Sequence, residues 1–175
     1  MVYNLYKKRL KYKDSIYIIT NFPCKISDLV LPRYVDKNGA NKTDFRALLK
    51  FYNKPVFVAW DEMQNDFPQT NLKDFPSVLR RRLTQLRKGN GMVLYYTTQD
   101  IKGIHCEIRR LTFAYNECHT FKKRFTYYLN YDSDYYNAKY ESNSIDNKIK
   151  VPINYFCNFI QTKKIRDLYN SFSYV

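Results

Sequence analysis

A short apolar run that ends in two adjacent acids, Val56–Trp60 followed by Asp61 and Glu62, constrains the fold more than any other feature. The run is too short for a membrane span, and its β-branched and aromatic residues favour a buried central strand. The acids then lie at the carboxyl end of that strand, the edge where open α/β sheets bind ligands. Carboxylates at that edge are suited to holding a metal ion and activating a water, the arrangement called Walker B. The same residues also fit a buried strand that simply runs into an acidic loop.

The charge balance of the 175-residue chain is strongly basic, with 30 Lys and Arg against 16 Asp and Glu and a net charge of +14. This length fits one domain with a hydrophobic core of its own. The charge favours a polyanionic partner, either nucleic acid or an anionic membrane surface. The alternative explanation is codon bias in an AT-rich genome, which also accounts for the 18 tyrosines.

The cysteines and the hydropathy indicate an intracellular chain. No C-x-x-C pair and no signal peptide are present, so we expect reduced thiols and a cytoplasmic location, with membrane association only through partners. His105-Cys106 and Cys118-His119 resemble a zinc site, but neighbouring residues cannot both turn toward one ion, and no structural metal is expected. No stretch approaches the roughly 18 apolar residues of a membrane-spanning helix.

Alternation of helices and strands is predicted for the first half of the chain. Asp44 is a good helix N-cap, and proline at Pro23 stops a strand. Before the acids we predict a helix over 1–13, a strand over 15–20, a loop with one turn over 24–43 and a helix over 44–52. A helix from Asp74 or Ser77 through Leu86 and a strand over 92–98 then complete a βαβ unit of a parallel sheet.

A period-two pattern begins near residue 108 and predicts an antiparallel hairpin, with strands near 111–115 and 125–131. Residues 132–150 are polar and predicted irregular, and the end of the chain is predicted to mix a short strand or turn with a final helix from about Ile160 to Tyr169. We therefore divide the chain into a core over 1–107 and an extension over 108–175 that packs on the same domain. The candidate nucleic-acid contacts are basic residues of the predicted helix and hairpin: Arg80, Arg81, Arg82, Lys122, Lys123 and Arg124.

The order of several weak motifs resembles one known family, the Zot-like ATPases. These are the zonular-occludens-toxin and filamentous-phage assembly proteins within the additional-strand P-loop NTPases, which include DNA-pumping motors. The resemblance covers roughly residues 1–120. Its motifs are Thr20-Asn21-Phe22-Pro23, Asp61-Glu62-x-Gln64-x-x-Phe67, Leu86-Arg87-Lys88, Thr98-Gln99 and Ile108-Arg109-x-Leu111-Thr112.

The resemblance implies roles for individual residues. Asp61 would hold Mg²⁺, and Glu62 would orient or deprotonate the attacking water. Thr98 would lie at the nucleotide with Asp61, and Gln99 would be the polar sensor of the γ-phosphate. Either of two arginines, Arg87 or Arg109, would reach the nucleotide of a neighbouring subunit in a ring, although Arg87 also suits a helix C-terminus and Arg109 a basic surface. DNA and inner-membrane assembly proteins are the implied partners.

The sequence departs from the family at the phosphate loop. It contains no G-x-x-x-x-G-K-[ST], and its glycines, Gly39, Gly89, Gly91 and Gly103, leave no room for a disguised copy. Without the amide nest and its lysine, binding of ATP is expected to be poor. The predicted fold is therefore an additional-strand P-loop NTPase core that lacks its first strand and phosphate loop. Either the start of the chain truncates a complete gene, or the gene is a split or decayed copy.

Two classes of function remain open from the sequence. In the first, the chain is most of a phage or mobile-element ATPase for virion extrusion or DNA packaging and translocation, with ATP and Mg²⁺ bound only when a phosphate loop is supplied. In the second, it is a non-catalytic basic protein that binds single-stranded DNA or an anionic membrane. For the second class, aromatic and cationic residues interleave from Phe121 to Tyr136, which suits base stacking but also fits an ordinary hairpin with an aromatic face.

Overall fold

The computed structural model of the protein describes residues 1–70, 75–84, 92–122, 125–134 and 152–169. The α-helices in these ranges are α1 (Val2–Tyr12), α2 (Met63–Asp66), α3 (Ser77–Thr84), α4 (Cys106–Leu111) and α5 (Lys163–Arg166). The strands are β1 (Tyr17–Thr20), β2 (Leu29–Val30), β3 (Arg33–Val35), β4 (Asn41–Thr43), β5 (Val56–Trp60), β6 (Met92–Tyr96), β7 (Ala114–Phe121), β8 (Phe125–Asp132) and β9 (Ile153–Ile160). None of the helices in these ranges is long and apolar enough to cross a membrane.

A four-stranded parallel sheet with strand order β2-β1-β5-β6 forms the centre of the fold. Every residue of β5 is buried, as its apolar sequence predicts for an inner strand of a parallel sheet. Val58 and Trp60 face the core that contains Leu79 and Leu83 of α3. Phe57 and Ala59 alternate onto the other face, where Leu5 of α1 packs. The structure thus confirms the predicted α/β class with a parallel sheet.

The predicted turn near Gly39 is present, but the prediction that the rest of 24–43 is a loop is wrong. This segment contains β2, which extends the parallel sheet, and β3 and β4, which form an antiparallel hairpin. The Asp36 carboxylate accepts hydrogen bonds from the backbone N–H groups of Asn38 and Ala40, and Gly39 takes a positive φ of 79° at the turn. These strands have only two or three residues each, too few to show a period-two pattern.

The segment over 44–52 forms a 3-10 helix, Phe45–Lys50, rather than an α-helix. Asp44 caps it as predicted, because its side chain accepts a hydrogen bond from the Arg46 backbone N–H. Arg82 of α3 donates hydrogen bonds to the carbonyl oxygens of Leu48 and Phe51, which lie in and just after this helix. Arg82 therefore joins two elements of the core, and burial lowers the pKa of its guanidinium.

The prediction of a period-two pattern from residue 108 is also wrong for the first residues of that segment. Residues Cys106–Leu111 form α4, and the helix crosses the boundary placed at 107/108. The His105 side chain caps α4 by accepting a hydrogen bond from the Glu107 backbone N–H. Arg109 and Arg110 lie in the last turn, where cations favour a helix. Alternation of Leu111 and Phe113 with polar residues had obscured this short helix.

The predicted hairpin exists as β7 and β8, but a third strand, β9, pairs with β8 to make an antiparallel sheet. The helix predicted from Ile160 to Tyr169 is reduced to the four residues of α5. One face of this sheet packs on the core, because the ring of Phe159 stacks on Tyr3 of α1 with centroids 4.4 Å apart. The irregular segment predicted over 132–150 lies largely outside the described residues.

The half-buried carboxylate of Asp66 connects the hairpin to the central sheet. Its Oδ1 accepts a hydrogen bond from the Thr43 backbone N–H at 2.7 Å, and its Oδ2 accepts from the Thr43 hydroxyl and from Trp60 Nε1, each at 2.8 Å. Trp60 is buried, so its N–H has no access to bulk water if this carboxylate is removed.

Replacing Asp66 with Ala is expected to lower the free energy of unfolding by about 3 kcal/mol, because buried donors left unpaired cost about 1–3 kcal/mol each. Urea denaturation followed by Trp60 fluorescence measures this loss. The matched control is Asp167→Ala, at an exposed position after α5. Equal unfolding midpoints for the two variants would contradict the assigned role of Asp66.

Candidate functional site

The carboxyl ends of three neighbouring strands, β1, β5 and β6, meet at one edge of the parallel sheet. Asn21 follows β1, Asp61 follows β5 and Thr97 follows β6. Strand pairing sets this arrangement, because Thr20 lies opposite Ala59 and Trp60 opposite Tyr96. The acids predicted from the sequence therefore lie at the ligand-binding edge of the sheet.

Asn21 holds the backbone of Asp61 from both sides. Its Oδ1 accepts a hydrogen bond from the Asp61 N–H at 2.7 Å, and its Nδ2 donates to the Asp61 carbonyl oxygen at 3.0 Å. Asn21 is itself only 2 % exposed, so water does not replace these bonds easily. The Asn of the Asn-Phe-Pro element is thus a positioning residue for Asp61.

Thr97 connects both acids to β6. Its hydroxyl donates a hydrogen bond to Asp61 Oδ1 and accepts one from the Glu62 backbone N–H at 3.1 Å. Its backbone carbonyl also accepts a hydrogen bond from the Met63 N–H at 3.0 Å. A single threonine therefore orients the Asp61 carboxylate and the turn that follows it.

Glu62 has a left-handed backbone conformation with φ 51° and ψ 54°. A non-glycine residue in that region is strained, and such strain is common where a side chain is aimed at a functional site. The carboxylate receives two amide donors: Asn65 Nδ2 bonds Oε2 at 2.8 Å, and Gln99 Nε2 approaches Oε1 at 3.4 Å. Glu62 remains exposed. The structure brings Glu62 and Gln99 together, as the resemblance implies.

The second oxygen of Asp61 contacts the carboxyl-terminal segment of the chain. The Tyr169 hydroxyl donates a hydrogen bond to Asp61 Oδ2 at 3.1 Å, and its ring packs edge-on against Phe22, with centroids 4.9 Å apart. The start of α1 lies in the same region. Burial lowers the pKa of the Met1 amino group, whereas the charges of Asp61 and Cys118 act in the opposite direction.

Two other residues with predicted site roles, Thr98 and Arg109, do not join the Asp61 cluster. The Thr98 hydroxyl instead donates to the Asp100 carbonyl oxygen at 2.7 Å, inside the loop after β6. Arg109 lies on α4 near the buried hydroxyl of Tyr96, and its Nε is buried without a hydrogen-bond partner among the described residues. Arg87 lies outside the described residues.

The candidate nucleic-acid residues differ in their accessibility. Arg80 forms an ion pair with Glu107 at 3.3 Å, and Arg82 is occupied by the backbone contacts described above. Arg81 is exposed on α3, and Lys122 is exposed at the turn between β7 and β8. Lys123 and Arg124 lie outside the described residues.

Among the described residues, no three His, Cys, Asp or Glu side chains group together as ligands for a metal ion. Mg²⁺ prefers oxygen ligands and is commonly held by one or two carboxylates together with substrate phosphates. Asp61 supplies a carboxylate whose two oxygens already face hydroxyl groups, those of Thr97 and Tyr169. Glu62 is the next residue after Asp61, and its exposed carboxylate is suited to orienting a water molecule.

Sequence reasoning missed Thr97 and Tyr169 as members of this site. For Thr97, the predicted strand extended to residue 98, whereas β6 ends at Tyr96, so the first polar residue past the strand is Thr97. Tyr169 is separated from Asp61 by 108 residues, and no local pattern signals their contact.

The parallel sheet and the separate antiparallel sheet define a mixed α/β protein, with two acids at the carboxyl edge of the parallel sheet. The fold is similar to the crystal structure of the N-terminal domain of zonular occludens toxin from Neisseria meningitidis, with a TM-score of 0.50 and 16 % sequence identity. The match covers 88 % of this chain and 80 % of that one. No protein-family model matches the chain, and no curated protein matches its sequence.

Proposed function

We propose that this chain carries the metal-holding and water-orienting part of a nucleoside-triphosphate hydrolase. The observation that carries the proposal is the pair Asp61 and Glu62 at the sheet edge, with Asp61 oriented by Thr97 and Glu62 contacted by Gln99. Asp61 would hold Mg²⁺, and Glu62 would position the attacking water. Phosphoryl transfer depends on such placement of charge more than on covalent chemistry.

The 175 residues do not contain a phosphate loop of the form G-x-x-x-x-G-K-[ST]. We propose that a segment joined ahead of Met1 supplies it. Met1 packs against the hydrophobic cluster that includes Phe22 and Ala59, near the carboxyl ends of β1 and β5, so a preceding segment would enter close to Asp61. The start of α1 would then also contribute its positive dipole end to the phosphates.

The biological role that we propose is that of a phage or mobile-element motor for virion assembly and extrusion or for DNA packaging and translocation. The zonular-occludens-toxin-like fold supports this proposal, and the net charge of +14 suits a DNA cargo. The proposed motor assembles into a ring, in which Arg87 or Arg109 reaches the nucleotide of a neighbouring subunit. It also contacts inner-membrane proteins.

Binding of Mn²⁺ as a probe for Mg²⁺ tests the metal site in the chain as it stands. We expect Asp61→Asn to weaken Mn²⁺ binding at least tenfold, because the charged ligand is lost. We expect Tyr169→Phe to strengthen it about three- to tenfold, because the hydroxyl no longer competes with the cation for Oδ2. Isothermal titration calorimetry measures both affinities.

The matched control for Tyr169→Phe is Tyr52→Phe, at an exposed position in the loop before β5. Its affinity for Mn²⁺ should equal that of the unmodified chain. If Asp61→Asn binds Mn²⁺ as tightly as the unmodified chain does, Asp61 is not the metal ligand and the proposal fails.

A further inference from the structure

The antiparallel sheet presents an exposed face rich in aromatic side chains, which we call the aromatic face. Cross-strand pairing places Phe121, Phe125 and Ile160 in one row and His119 and Tyr127 in the next. Phe156 lies beside Tyr127, with ring centroids 5.7 Å apart. The members of the aromatic face are His119, Phe121, Phe125, Tyr127, Phe156 and Ile160.

The aromatic face is the outer part of one side of the sheet; the inner end of that side, with Tyr115 and Tyr131, is buried, and the opposite side packs on α1. Side chains alternate across a strand, so Phe159 points away from Phe156 and Ile160 and stacks on Tyr3 of α1. On the aromatic face, by contrast, Phe121 is 61 % exposed, Phe156 56 % and Ile160 64 %. Large apolar side chains exposed together in this way indicate a binding surface.

We propose that the aromatic face binds single-stranded nucleic acid, with bases stacked on its rings. Exposed rings on adjacent strands offer their π-faces to unstacked bases. Such stacking is possible for every base, because every base has a π-face. The rings of His119 and Tyr127 already lie nearly parallel, 4.9 Å apart and 19° from coplanar. This inference is independent of the proposed hydrolase function, because no residue of the aromatic face belongs to the Asp61 cluster.

The charges around the aromatic face favour a polyanion over an ordinary protein partner. None of its six members is acidic, and the only acids in the three strands are Glu117 and Asp132. Glu117 accepts a hydrogen bond from the Tyr131 hydroxyl at 3.2 Å, toward the inner end of the sheet. At the outer end, the Lys122 ammonium lies 5.3 Å from the centroid of the Phe121 ring, where it can meet a phosphate next to a stacked base.

Fluorescence anisotropy with labelled oligo(dT) tests the proposal on the full chain. We expect Phe121→Ala and Phe156→Ala each to weaken binding by about fivefold to a hundredfold, because each removes one stacking partner. Phe156→Tyr keeps a ring and should keep the affinity. The matched control is Tyr52→Ala, which removes an exposed ring remote from the sheet and should bind as the unmodified chain does.

Two further measurements separate stacking from charge. An abasic oligomer with the same number of phosphates should bind at least tenfold more weakly than oligo(dT). Replacing Lys122 with Gln should reduce the slope of log affinity against log salt by about 0.7, the value for one phosphate contact on a single strand. Lys50→Gln, at the exposed last residue of the 3-10 helix, should leave the slope unchanged.

The proposal is overturned if folded Phe121→Ala and Phe156→Ala bind oligo(dT) as the unmodified chain does, or if the abasic oligomer binds equally well. Thermal unfolding by circular dichroism establishes that each variant is folded. Vesicles containing phosphatidylserine test the competing class of partner. Loss of vesicle binding in Phe121→Ala with oligonucleotide affinity intact would assign the aromatic face to membranes instead.

Discussion

In a protein extended upstream to include a phosphate loop, Glu62→Gln is expected to lower the rate of ATP hydrolysis by about 100- to 10,000-fold, the contribution typical of a general base. The substitution keeps the shape of the side chain and removes its negative charge. Gln cannot accept a proton from the attacking water, whereas Asp61 still holds the metal. ATP binding should therefore persist while hydrolysis is lost.

The measurement is the steady-state release of phosphate, with nucleotide binding followed separately in the same variant. Glu107→Gln is the matched control, because Glu107 lies on α4 outside the Asp61 cluster and pairs with the arginines Arg80 and Arg110 rather than with a residue of the site. Its rate of hydrolysis should equal that of the unmodified enzyme. Full activity in Glu62→Gln would show that the Walker B assignment is incorrect, whatever the outcome for metal binding by Asp61.

The parts of the fold that were predictable from sequence are those with contiguous local signals. The strand Val56–Trp60 is fully apolar and ends abruptly in charged residues, so both its burial and the location of the acids follow directly. The same holds for β6, whose apolar run is bounded by polar residues on both sides. Each prediction depended on neighbours in the chain rather than on distant contacts.

The errors arose where short elements lack such signals. The strands β3 and β4 have three residues each, so no periodicity can develop. Helix α4 has six residues, and its cap is the side chain of a histidine, which is not a common N-cap residue. In β9, apolar and aromatic residues occupy both faces, because one face packs on α1 and the other is the aromatic face; alternation was therefore hidden.

The site itself shows the same division between local and distant information. Asp61 and Glu62 were identified because they follow a strand directly. Their orientation depends on partners far away in the chain: Asn21 lies 40 residues before Asp61, and Tyr169 lies 108 residues after it. The pairing of β1 with β5 brings Asn21 to Asp61, and an isolated bridge between Cys24 and Tyr169 holds Tyr169 nearby; sequence periodicity specifies neither contact.

Asn21 provides the second large expected effect, because it is the buried residue on which the position of Asp61 depends. Replacing Asn21 with Ala is expected to lower the free energy of unfolding by about 3 kcal/mol. The Asp61 N–H and carbonyl groups both lose their partner, and the site of Asn21 is too buried for bulk water to take its place. Urea denaturation measures the loss, with the exposed Asn53→Ala as matched control.

A nearly isosteric variant separates hydrogen bonding from loss of volume. Asn21→Asp keeps the acceptor for the Asp61 N–H but sets a second acceptor against the Asp61 carbonyl oxygen, so it should also be destabilised although the side chain fills the same space. Both variants should weaken Mn²⁺ binding as well, since Asp61 is no longer held in place. An unfolding midpoint for Asn21→Ala equal to that of Asn53→Ala would contradict the role of Asn21. Lower stability with unchanged Mn²⁺ affinity would instead show that Asn21 supports the sheet edge without positioning the metal ligand.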